Sequence, residues 1–277
     1  MLTLALVCLL APLFGFVVQY FLGKRLPRQG DIWTVATIGA SLVCAILLTL
    51  RALNGEAMEP WTFEWYRPGG AEGAAWSIGL MVDGLTAMML VVVTVVSFLV
   101  HVFSIGYMHG DAKYPLFFAW LQMFSVAMLT VVLASDLLLL FIGWELVGLC
   151  SYKLIGFWSE KQAPANAARK AFITTRIGDV GLVLALMIIV AYVQSFDFGA
   201  IAAAIQSGAI PEPWLTVAGL GINILAVRRH RPAIAATEAF TPPAVKHTEI
   251  QHPVDCGFFT GCAARLEWIL RRIQPHI

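Results

Sequence analysis

The chain has 277 residues, of which 59% are hydrophobic and 13% are charged, whereas an ordinary soluble domain has about 25% charged residues. That composition excludes a soluble globular enzyme. The 18 Lys and Arg residues nearly balance the 17 Asp and Glu residues, and a net charge of +1 lacks the basic surplus that a nucleic-acid-binding protein needs to neutralise phosphates. The composition therefore indicates an integral membrane protein that has no nucleic-acid partner.

Long apolar windows predict six complete membrane-spanning helices and a short seventh one. A spanning helix needs about 20 apolar residues, because each residue adds 1.5 Å across a hydrocarbon core roughly 30 Å thick. Five windows contain no Asp, Glu, Lys or Arg, a sixth is interrupted only by Glu145 and Lys153, and the last one stops after 14 residues. In chain order the windows are 2–22, 32–50, 84–100, 114–135, 137–157, 180–196 and 214–227.

The distribution of Lys and Arg among the loops predicts the orientation. Consecutive spans place successive loops on alternate sides of the membrane, and cytoplasmic loops carry the excess of basic residues. One set of loops carries eight Lys and Arg residues, namely 23–31, 109–113 and 153–170. The loops on the other side carry only two, namely 51–83, 134–136 and 197–213. No basic residue precedes the first window, which is therefore a retained helix rather than a signal peptide. We expect an all-α polytopic fold of antiparallel helical hairpins with the N-terminus outside.

The long outer loop 51–83 has the alternation that is typical of β-strands. Apolar and polar residues alternate from Trp61 to Tyr66, turn residues follow from Arg67 to Gly70, and a second alternation begins at Trp76. The pattern predicts a small extracytoplasmic β-hairpin. Its aromatic side chains suit the membrane interface better than a ligand site, because tryptophan and tyrosine rings accumulate at the headgroup level.

Three ionisable residues fall within predicted spans: Glu145, Arg176 and Asp179. Placing such a group at mid-membrane costs about 2.5 to 3.5 kcal/mol, which makes each one a candidate functional residue. Helical rise places Glu145 about 12 Å below the outer boundary, and Arg176 and Asp179 about 9 Å and 13 Å above the inner one. Arg176 and Asp179 are three residues apart on one helix face, so a static ion pair is the alternative to a functional role.

Glu145 has only uncharged residues three and four positions away on its own helix. Its carboxyl must therefore be protonated, meet a cation from another helix or face water. Those are the physical requirements of a switchable proton site. His101 is a second relay candidate because imidazole titrates near neutrality, although a histidine near a helix end is equally often an interfacial residue. Asp83 is interpreted as a helix cap and Asp136 as a turn residue.

No glycine-rich nucleotide loop or metal-cluster spacing occurs in the sequence, so we expect neither a cofactor nor a metal in this chain.

The sequence strongly resembles the L subunit of proton-pumping NADH:quinone oxidoreductase, respiratory complex I. The resemblance rests on Trp144-Glu145-Leu146-Val147-Gly148-Leu149-Cys150-Ser151-Tyr152, Leu154 to Trp158, Ala165 to Ile173 and Thr175-Arg176-Ile177-Gly178-Asp179. Val82 to Leu85 and His101 to Met108 also fit this resemblance, which covers roughly residues 1 to 220.

The resemblance implies an antiporter-like membrane subunit that carries protons with redox energy released in other subunits. Together with the buried positions of these residues, this predicts a proton relay in which Glu145 is the switchable carboxylate, Arg176 and Asp179 are charges that modulate it, and His101 is a further candidate. It also implies other complex I membrane subunits as partners, with FMN, iron–sulfur clusters and quinone held by partner subunits, and the bacterial inner membrane as the location. In the family, the glutamate that matches Glu145 forms an ion pair with a lysine on the seventh helix.

The sequence departs from the family after about Gly221. The family continues with the lysine-bearing helix and many further spans, whereas this chain enters Arg228-Arg229-His230-Arg231-Pro232. We therefore expect an incomplete antiporter-like transmembrane domain over 1–227 and an atypical, non-native or disordered tail over 228–277, as in a truncated or frame-shifted gene product.

Two other functions remain open. The same helical unit occurs in large subunits of multisubunit sodium/proton antiporters and of membrane-bound hydrogenases. The chain could also be an inactive fragment or an assembly scaffold, in which case replacing Glu145 would change nothing measurable. The choice between H⁺ and Na⁺ is left open, because carboxylates serve the pathways of both ions.

Overall fold

The computed structural model describes residues 1–56, 58–67, 76–211, 213, 214 and 218. Within these residues six helices are long and apolar enough to span a membrane, which confirms the six complete spans. They are α1 (Leu2–Leu22), α2 (Asp31–Leu53), α3 (Gly84–Tyr107), α4 (Tyr114–Leu133), α5 (Leu137–Ile155) and α6 (Gln162–Val193), with a short helix α7 (Phe198–Gln206) and strands β1 (Met58–Tyr66) and β2 (Trp76–Val82). Most of the seventh predicted window, 214–227, and the whole tail, 228–277, lie outside the described residues.

Helix α4 is the central helix of the first compact unit, which comprises Met1–Arg169; a second unit begins at Lys170. In the first unit α1 packs on α2 and α4, α2 packs on α3, and α5 packs on α4. Protein buries 83% of the apolar window of α4 but only 28–33% of the window of each other span. A helix that is apolar all round and covered all round belongs to the core, whereas its neighbours keep an outward apolar face.

Two connections differ from the prediction. The basic loop predicted at 153–170 is only residues 156–161, because α6 begins at Gln162 and continues through an alanine-rich segment that favours helix. The loop predicted at 197–213 contains α7, whose first turn is capped by the Asp197 carboxylate accepting from Ala200 N at 2.9 Å. The apolar windows do not predict α7, because a nine-residue helix is far too short to cross a bilayer.

The predicted β-hairpin is confirmed. Strands β1 and β2 pair antiparallel, with Trp61 opposite Leu80 and Phe63 opposite Ile78. Strand β2 also contacts the turn between α4 and α5, where Ser135 N donates to Gly79 O at 3.1 Å. We call the side of the first unit that carries the hairpin the hairpin end, and the opposite side, with Lys24, Arg25, Arg28, Lys113 and Lys161, the basic end. The placement of the hairpin outside the membrane stays a prediction.

The turn between α1 and α2, at the basic end, has three consecutive residues with left-handed backbone: Arg28 (φ 53°), Gln29 (φ 57°) and Gly30 (φ 82°). A buried glutamine on α1 stabilises this turn. The Nε2 atom of Gln19 donates to Gln29 O at 2.8 Å and lies 3.3 Å from Pro115 O on α4. One amide therefore joins α1, the strained turn and the first turn of α4.

Replacing Gly30 with alanine is expected to destabilise the protein by roughly 2 kcal/mol or more, because the residue would have a positive φ and a displaced neighbour. An added Cβ at Gly30 would lie 2.0 Å from Oε1 of Gln19. Gly55→Ala is the matched control, since Gly55 has nearly the same φ of 84° but nothing within 4 Å of an added Cβ. Unfolding by SDS titration in detergent micelles would measure both variants. Equal losses would show that the Gln19 contact contributes nothing.

Candidate functional site

Glu145 lies on α5, eight residues after the helix begins at Leu137. Its side chain is half-buried, and the preceding residue, Trp144, is buried. At 1.5 Å per residue, Glu145 is about 12 Å from the start of the helix, which agrees with the depth predicted from the sequence. The structure thus places an ionisable carboxyl well inside an apolar helix, while its role as a proton site stays a prediction.

Helix α5 approaches α4 closely because Gly143 has no side chain. A Cβ at Gly143 would lie 2.9 Å from Cγ2 and 3.1 Å from the backbone N of Val131. Small residues allow such close approach in membrane proteins, where packing rather than the hydrophobic effect drives association. Gly143 lies two residues before Glu145, so this contact fixes the distance between α4 and the part of α5 that carries the carboxyl.

At the hairpin end, Asp136 fixes the start of α5. One carboxylate oxygen accepts from Leu139 N at 2.7 Å, which caps the helix, and the other accepts from Gly79 N of β2 at 2.8 Å. The residue is 1% exposed. Asp136 is therefore more than the turn residue that the sequence predicts. An Asp directly before an apolar run signals a helix cap, but the bond to β2 depends on the tertiary structure.

At the basic end, Asp111 connects the α3–α4 loop to the residues that follow α5. Its carboxylate accepts from Nε1 of Trp158 at 2.9 Å and from the backbone N of Lys113 at 2.7 Å. The Lys113 ammonium also forms an ion pair with Glu160. The helix that carries Glu145 is therefore anchored by a buried aspartate before it and by an interloop contact after it.

These two hydrogen bonds, with that of Trp158 first, lower the pKa of Asp111 below its ordinary value of 3.8. A lowered folded-state pKa adds stability that is complete above the unfolded-state pKa and is lost as the pH falls through the folded-state pKa. Trp158→Phe is therefore expected to lower the thermal midpoint at neutral pH, and its deficit is expected to shrink as the medium is acidified below pH 3.8.

The matched control for this prediction is Trp33→Phe, since no acceptor for Nε1 of Trp33 lies within the described part of the chain. Its midpoint is expected to follow that of the wild type across the same pH range. Thermal scans of both variants in detergent would measure the effect. A Trp158→Phe deficit that did not change with pH would mean that only packing, and not the carboxylate, was lost.

Arg176 and Asp179 belong to the second unit. Their side chains form the predicted pair, with Nη1 of Arg176 3.6 Å from Oδ2 of Asp179. The Asp179 side chain is 9% exposed and that of Arg176 is 30% exposed, and the guanidinium lies 4.6 Å from the centre of the Phe172 ring. The pairing is confirmed; whether it is a static ion pair or part of a relay stays open to experiment.

His101 is fully buried inside α3, which continues to Tyr107. It is therefore not the interfacial residue at a helix end that the sequence left as an alternative. Nδ1 lies 2.8 Å from Ser97 O, one turn earlier. Gln122 on α4, which the sequence did not single out, lies at the position facing His101, because the hydroxyls of Ser97 and Ser125, one turn from His101 and from Gln122, are 2.9 Å apart. A glutamine in an apolar window is itself a signal of a buried polar contact, because its amide needs hydrogen-bonding partners.

No group of three or more His, Cys, Asp or Glu side chains that could hold a metal ion occurs among the described residues. The described residues do place ionisable groups inside apolar helices: Glu145 and His101 in the first unit, and the Arg176–Asp179 pair in the second. Their role in carrying protons stays a prediction.

Two family models match the chain. The model described as NADH-ubiquinone oxidoreductase (complex I), chain 5 N-terminus, matches residues 71–118, and the model described as NADH:quinone oxidoreductase/Mrp antiporter, TM, matches residues 134–229. The second match contains Glu145, Arg176 and Asp179, and the first contains His101. All four candidate residues therefore lie in segments that resemble these families.

Several curated relatives are similar over most of the chain. F(420)H(2) dehydrogenase subunit L of Methanosarcina mazei is 40% identical over 181 residues, which are 65% of this chain and 26% of the relative. NADH-quinone oxidoreductase subunit L of Neisseria meningitidis is 37% identical over 69% of this chain and 28% of the relative. NAD(P)H-quinone oxidoreductase subunit 5 of the Paulinella chromatophora chromatophore is 34% identical over 76% and 33%. The chain thus spans about a quarter to a third of the length of these relatives.

A solved structure shares the fold. A chain of the membrane-bound sulfane sulfur reductase, an archaeal respiratory membrane complex, superposes with a TM-score of 0.65 at 16% identity. The match covers 81% of this chain and 43% of that one. At this identity the comparison supports the helical architecture alone.

Proposed function

Because the chain belongs to the antiporter-like membrane subunit family of NADH:quinone oxidoreductases, matching the N-terminal part of subunit L, we propose that it serves in proton translocation by complex I. In this proposal, quinone reduction elsewhere in the complex drives protons through a relay centred on Glu145. The chain itself carries no redox chemistry. The complex lies in a bacterial inner membrane.

The observation that carries the proposal is the position of Glu145. A half-buried carboxyl lies about 12 Å along a helix whose neighbouring side chains are apolar, between a cap at Asp136 and the interloop contact at Asp111. Desolvation favours the protonated form of such a carboxyl, and an approaching cation favours the ionised form. A group whose protonation depends on a moving charge can take up a proton from one side and release it to the other.

Arg176 and Asp179 are proposed as charges that modulate the relay. Their ion pair is partly exposed on the arginine side, and a guanidinium keeps its charge at every accessible pH, so it is Asp179 that would change its charge or its partner. Opening the pair would release a positive charge, which is the kind of event that shifts the protonation of a carboxyl.

The partners in this proposal are other membrane subunits of the complex and the lipid bilayer. FMN, iron–sulfur clusters and quinone are proposed to belong to those partner subunits, as the resemblance to complex I implies. The second candidate function is a subunit of a multisubunit sodium/proton antiporter, which is favoured by the Mrp antiporter in the description of the family model for residues 134–229.

Inside-out membrane vesicles from the host would test the proposal. With NADH as electron donor, a pH-sensitive dye is expected to report lumenal acidification that is lost when the gene is deleted and restored when the wild-type gene returns. NADH oxidation with an artificial acceptor would show in each strain whether the redox subunits are still assembled. If deletion instead abolished proton movement driven by a sodium gradient and left NADH-driven acidification intact, the antiporter function would replace the one proposed here.

A further inference from the structure

A second buried protonatable group lies apart from Glu145, between α2, α3 and α4. His101 is 0% exposed, and its Nδ1 lies 2.8 Å from the carbonyl oxygen of Ser97. A carbonyl oxygen can only accept, so Nδ1 must carry the hydrogen. The neutral ring therefore presents a lone pair, and not a hydrogen, at Nε2. In water, by contrast, both ring nitrogens can form hydrogen bonds with solvent, so either tautomer can be present.

Gln122 on α4 is also 0% exposed, and its orientation is determined by Thr37 on α2. Nε2 of the amide donates to Oγ1 of Thr37 at 2.7 Å. The Thr37 hydroxyl in turn donates to the helix carbonyls of Thr34 at 3.0 Å or Trp33 at 3.2 Å. Since the hydroxyl hydrogen is used in this way, Thr37 offers the amide a lone pair, and the amide presents nitrogen to Thr37 and oxygen to the other side.

The His101 ring lies at the facing position of α3. The hydroxyl of Ser97, one turn before His101, is 2.9 Å from that of Ser125, three residues after Gln122, so His101 and Gln122 lie opposite each other on the antiparallel helices α3 and α4. Within the part of the chain that the structure describes, neither Nε2 of His101 nor Oε1 of Gln122 receives a hydrogen bond, although both atoms are buried. Both are acceptors. A buried acceptor without a donor is unfavourable. One hydrogen placed between these two acceptors would give both of them a hydrogen bond.

We propose that His101 and Gln122 form a buried proton-binding site within the α2–α4 bundle. A proton that binds Nε2 of His101 forms a new N–H bond, and this bond donates to Oε1 of Gln122. The ring becomes an imidazolium whose two N–H groups donate to Gln122 and to the Ser97 carbonyl. No other covalent bond changes, and the charge spreads over the ring. Each buried acceptor then has a donor.

The amide of Gln122 provides a position for each proton state. With the proton bound, the orientation in the structure is satisfied. With the ring neutral, the amide can turn over so that its nitrogen donates to Nε2 of His101, provided that the Thr37 hydroxyl turns from the helix carbonyl to donate to the amide oxygen. Proton binding is therefore coupled to the orientation of one amide and one hydroxyl.

An aromatic ring separates the site from a buried titratable pair. Tyr114 on α4 and Asp31 on α2, both buried on helices that pack with α3 in the described part of the chain, are joined by a 3.1 Å hydrogen bond. The Phe118 ring stands between that pair and the imidazole, with its centre 4.8 Å from the Tyr114 ring and 6.2 Å from the His101 ring. On α1, Gly15 lies against the Thr37–Gln122 bond, so the backbone of α1 covers it.

One turn nearer the hairpin end, the hydroxyls of Ser97 and Ser125 lie 2.9 Å apart, and either oxygen can be the donor. Ser97 is the residue whose carbonyl binds His101, and Ser125 follows Gln122 by one turn on α4. A hydroxyl pair that can reverse its direction can pass on a change of hydrogen-bond direction. The proton site thus continues into a reorientable group on the same two helices.

Solid-state NMR of the full chain in lipid bilayers, labelled with ¹⁵N-histidine, would test the site without requiring translocation. Subtracting the spectrum of His101→Gln identifies the ring. At neutral pH we expect the Nδ1–H tautomer, and on stepwise acidification we expect both nitrogens to become protonated. Gln122→Met, which keeps the length of the side chain but removes the acceptor, is expected to lose the imidazolium signal at the pH at which the wild type shows it.

Gln19→Met is the matched control, because Gln19 is another buried glutamine whose Oε1 receives no hydrogen bond from the described residues, but it contacts Gln29 and Pro115 instead of the ring. It is expected to leave the His101 titration unchanged. Thr37→Val is a second variant, in case Gln122→Met does not fold. It frees the amide to donate to the ring, and it is expected to reduce the imidazolium fraction at each pH.

Three results would overturn the proposal. One is a His101 ring that stays neutral at every pH at which the wild type remains folded. Another is a Gln122→Met variant that titrates as the wild type does. The third is a neutral ring whose Nε2 correlates with water protons, which would show that a bound water supplies the shared hydrogen and that the site binds water rather than a proton.

Discussion

Replacing Glu145 with glutamine is expected to reduce NADH-driven proton translocation to the level of uncoupled vesicles while the complex still assembles. Glutamine has nearly the same shape and keeps the capacity for hydrogen bonding, but it cannot release a proton. The carboxyl lies half-buried about 12 Å along α5, and it is the only carboxyl in that helix. The measurement is dye-reported acidification of inside-out vesicles, normalised to the rate of NADH oxidation.

Glu160→Gln is the matched control for this prediction. Its side chain is 73% exposed and pairs with Lys113 in a loop, and an exposed pair contributes only about 0–1 kcal/mol. Translocation in this variant is expected to equal that of the wild type. Glu145→Asp, which keeps a carboxyl but shortens the side chain, is expected to restore part of the activity. Full pumping by an assembled Glu145→Gln complex would favour the scaffold function.

Replacing Asp136 with alanine is expected to lower the free energy of unfolding by about 3 kcal/mol or more, because it removes a helix cap and leaves two backbone N–H groups without an acceptor in a buried site. These donors are Leu139 N, in the first turn of α5, and Gly79 N, on β2. The loss would also detach the hairpin from the helix that carries Glu145. Translocation is therefore expected to fall together with stability.

Asp83→Ala provides the comparison for Asp136. Asp83 caps α3 through one carboxylate bond, to Thr86 N at 2.7 Å, and is only half-buried, so its loss is expected to cost about 1 kcal/mol. SDS titration of both variants in micelles would give the two free energies. If the two losses were equal, the bond from Asp136 to the hairpin would have no measurable role. For Asp136→Asn, which keeps one acceptor oxygen, the loss of unfolding free energy is expected to lie between the losses of Asp136→Ala and Asp83→Ala.

Much of the architecture could be predicted because membrane insertion acts on short windows of sequence. Five charge-free windows and a sixth that is interrupted only by Glu145 and Lys153 predicted the six spans, and the alternation around Trp61 and Trp76 predicted the paired strands. The three-residue spacing of Arg176 and Asp179 predicted their ion pair. In each case the deciding contact lies within one element or between neighbours in the chain, so the pattern alone contains the information.

The boundaries at the basic end could not be predicted from the same rule. Helix α6 begins at Gln162, about five turns before the apolar window 180–196 that identified it, because an alanine-rich segment is helical without being hydrophobic enough to span. The hydropathy criterion therefore marked 153–170 as a loop. Helix α7 was missed for the opposite reason, since it is apolar but too short to cross a bilayer.

The sequence by itself determined the class of the protein, the number of described spans, the hairpin and the depth of the Glu145 carboxyl within its helix, since composition and helical rise depend only on residue order. The tertiary structure alone decided what holds that carboxyl in place and what surrounds His101. Gly79 meets Asp136 across 57 positions and Gln122 meets Thr37 across 85. A single sequence does not report which distant polar groups share a buried site, because each of them must find a partner that only helix packing brings near.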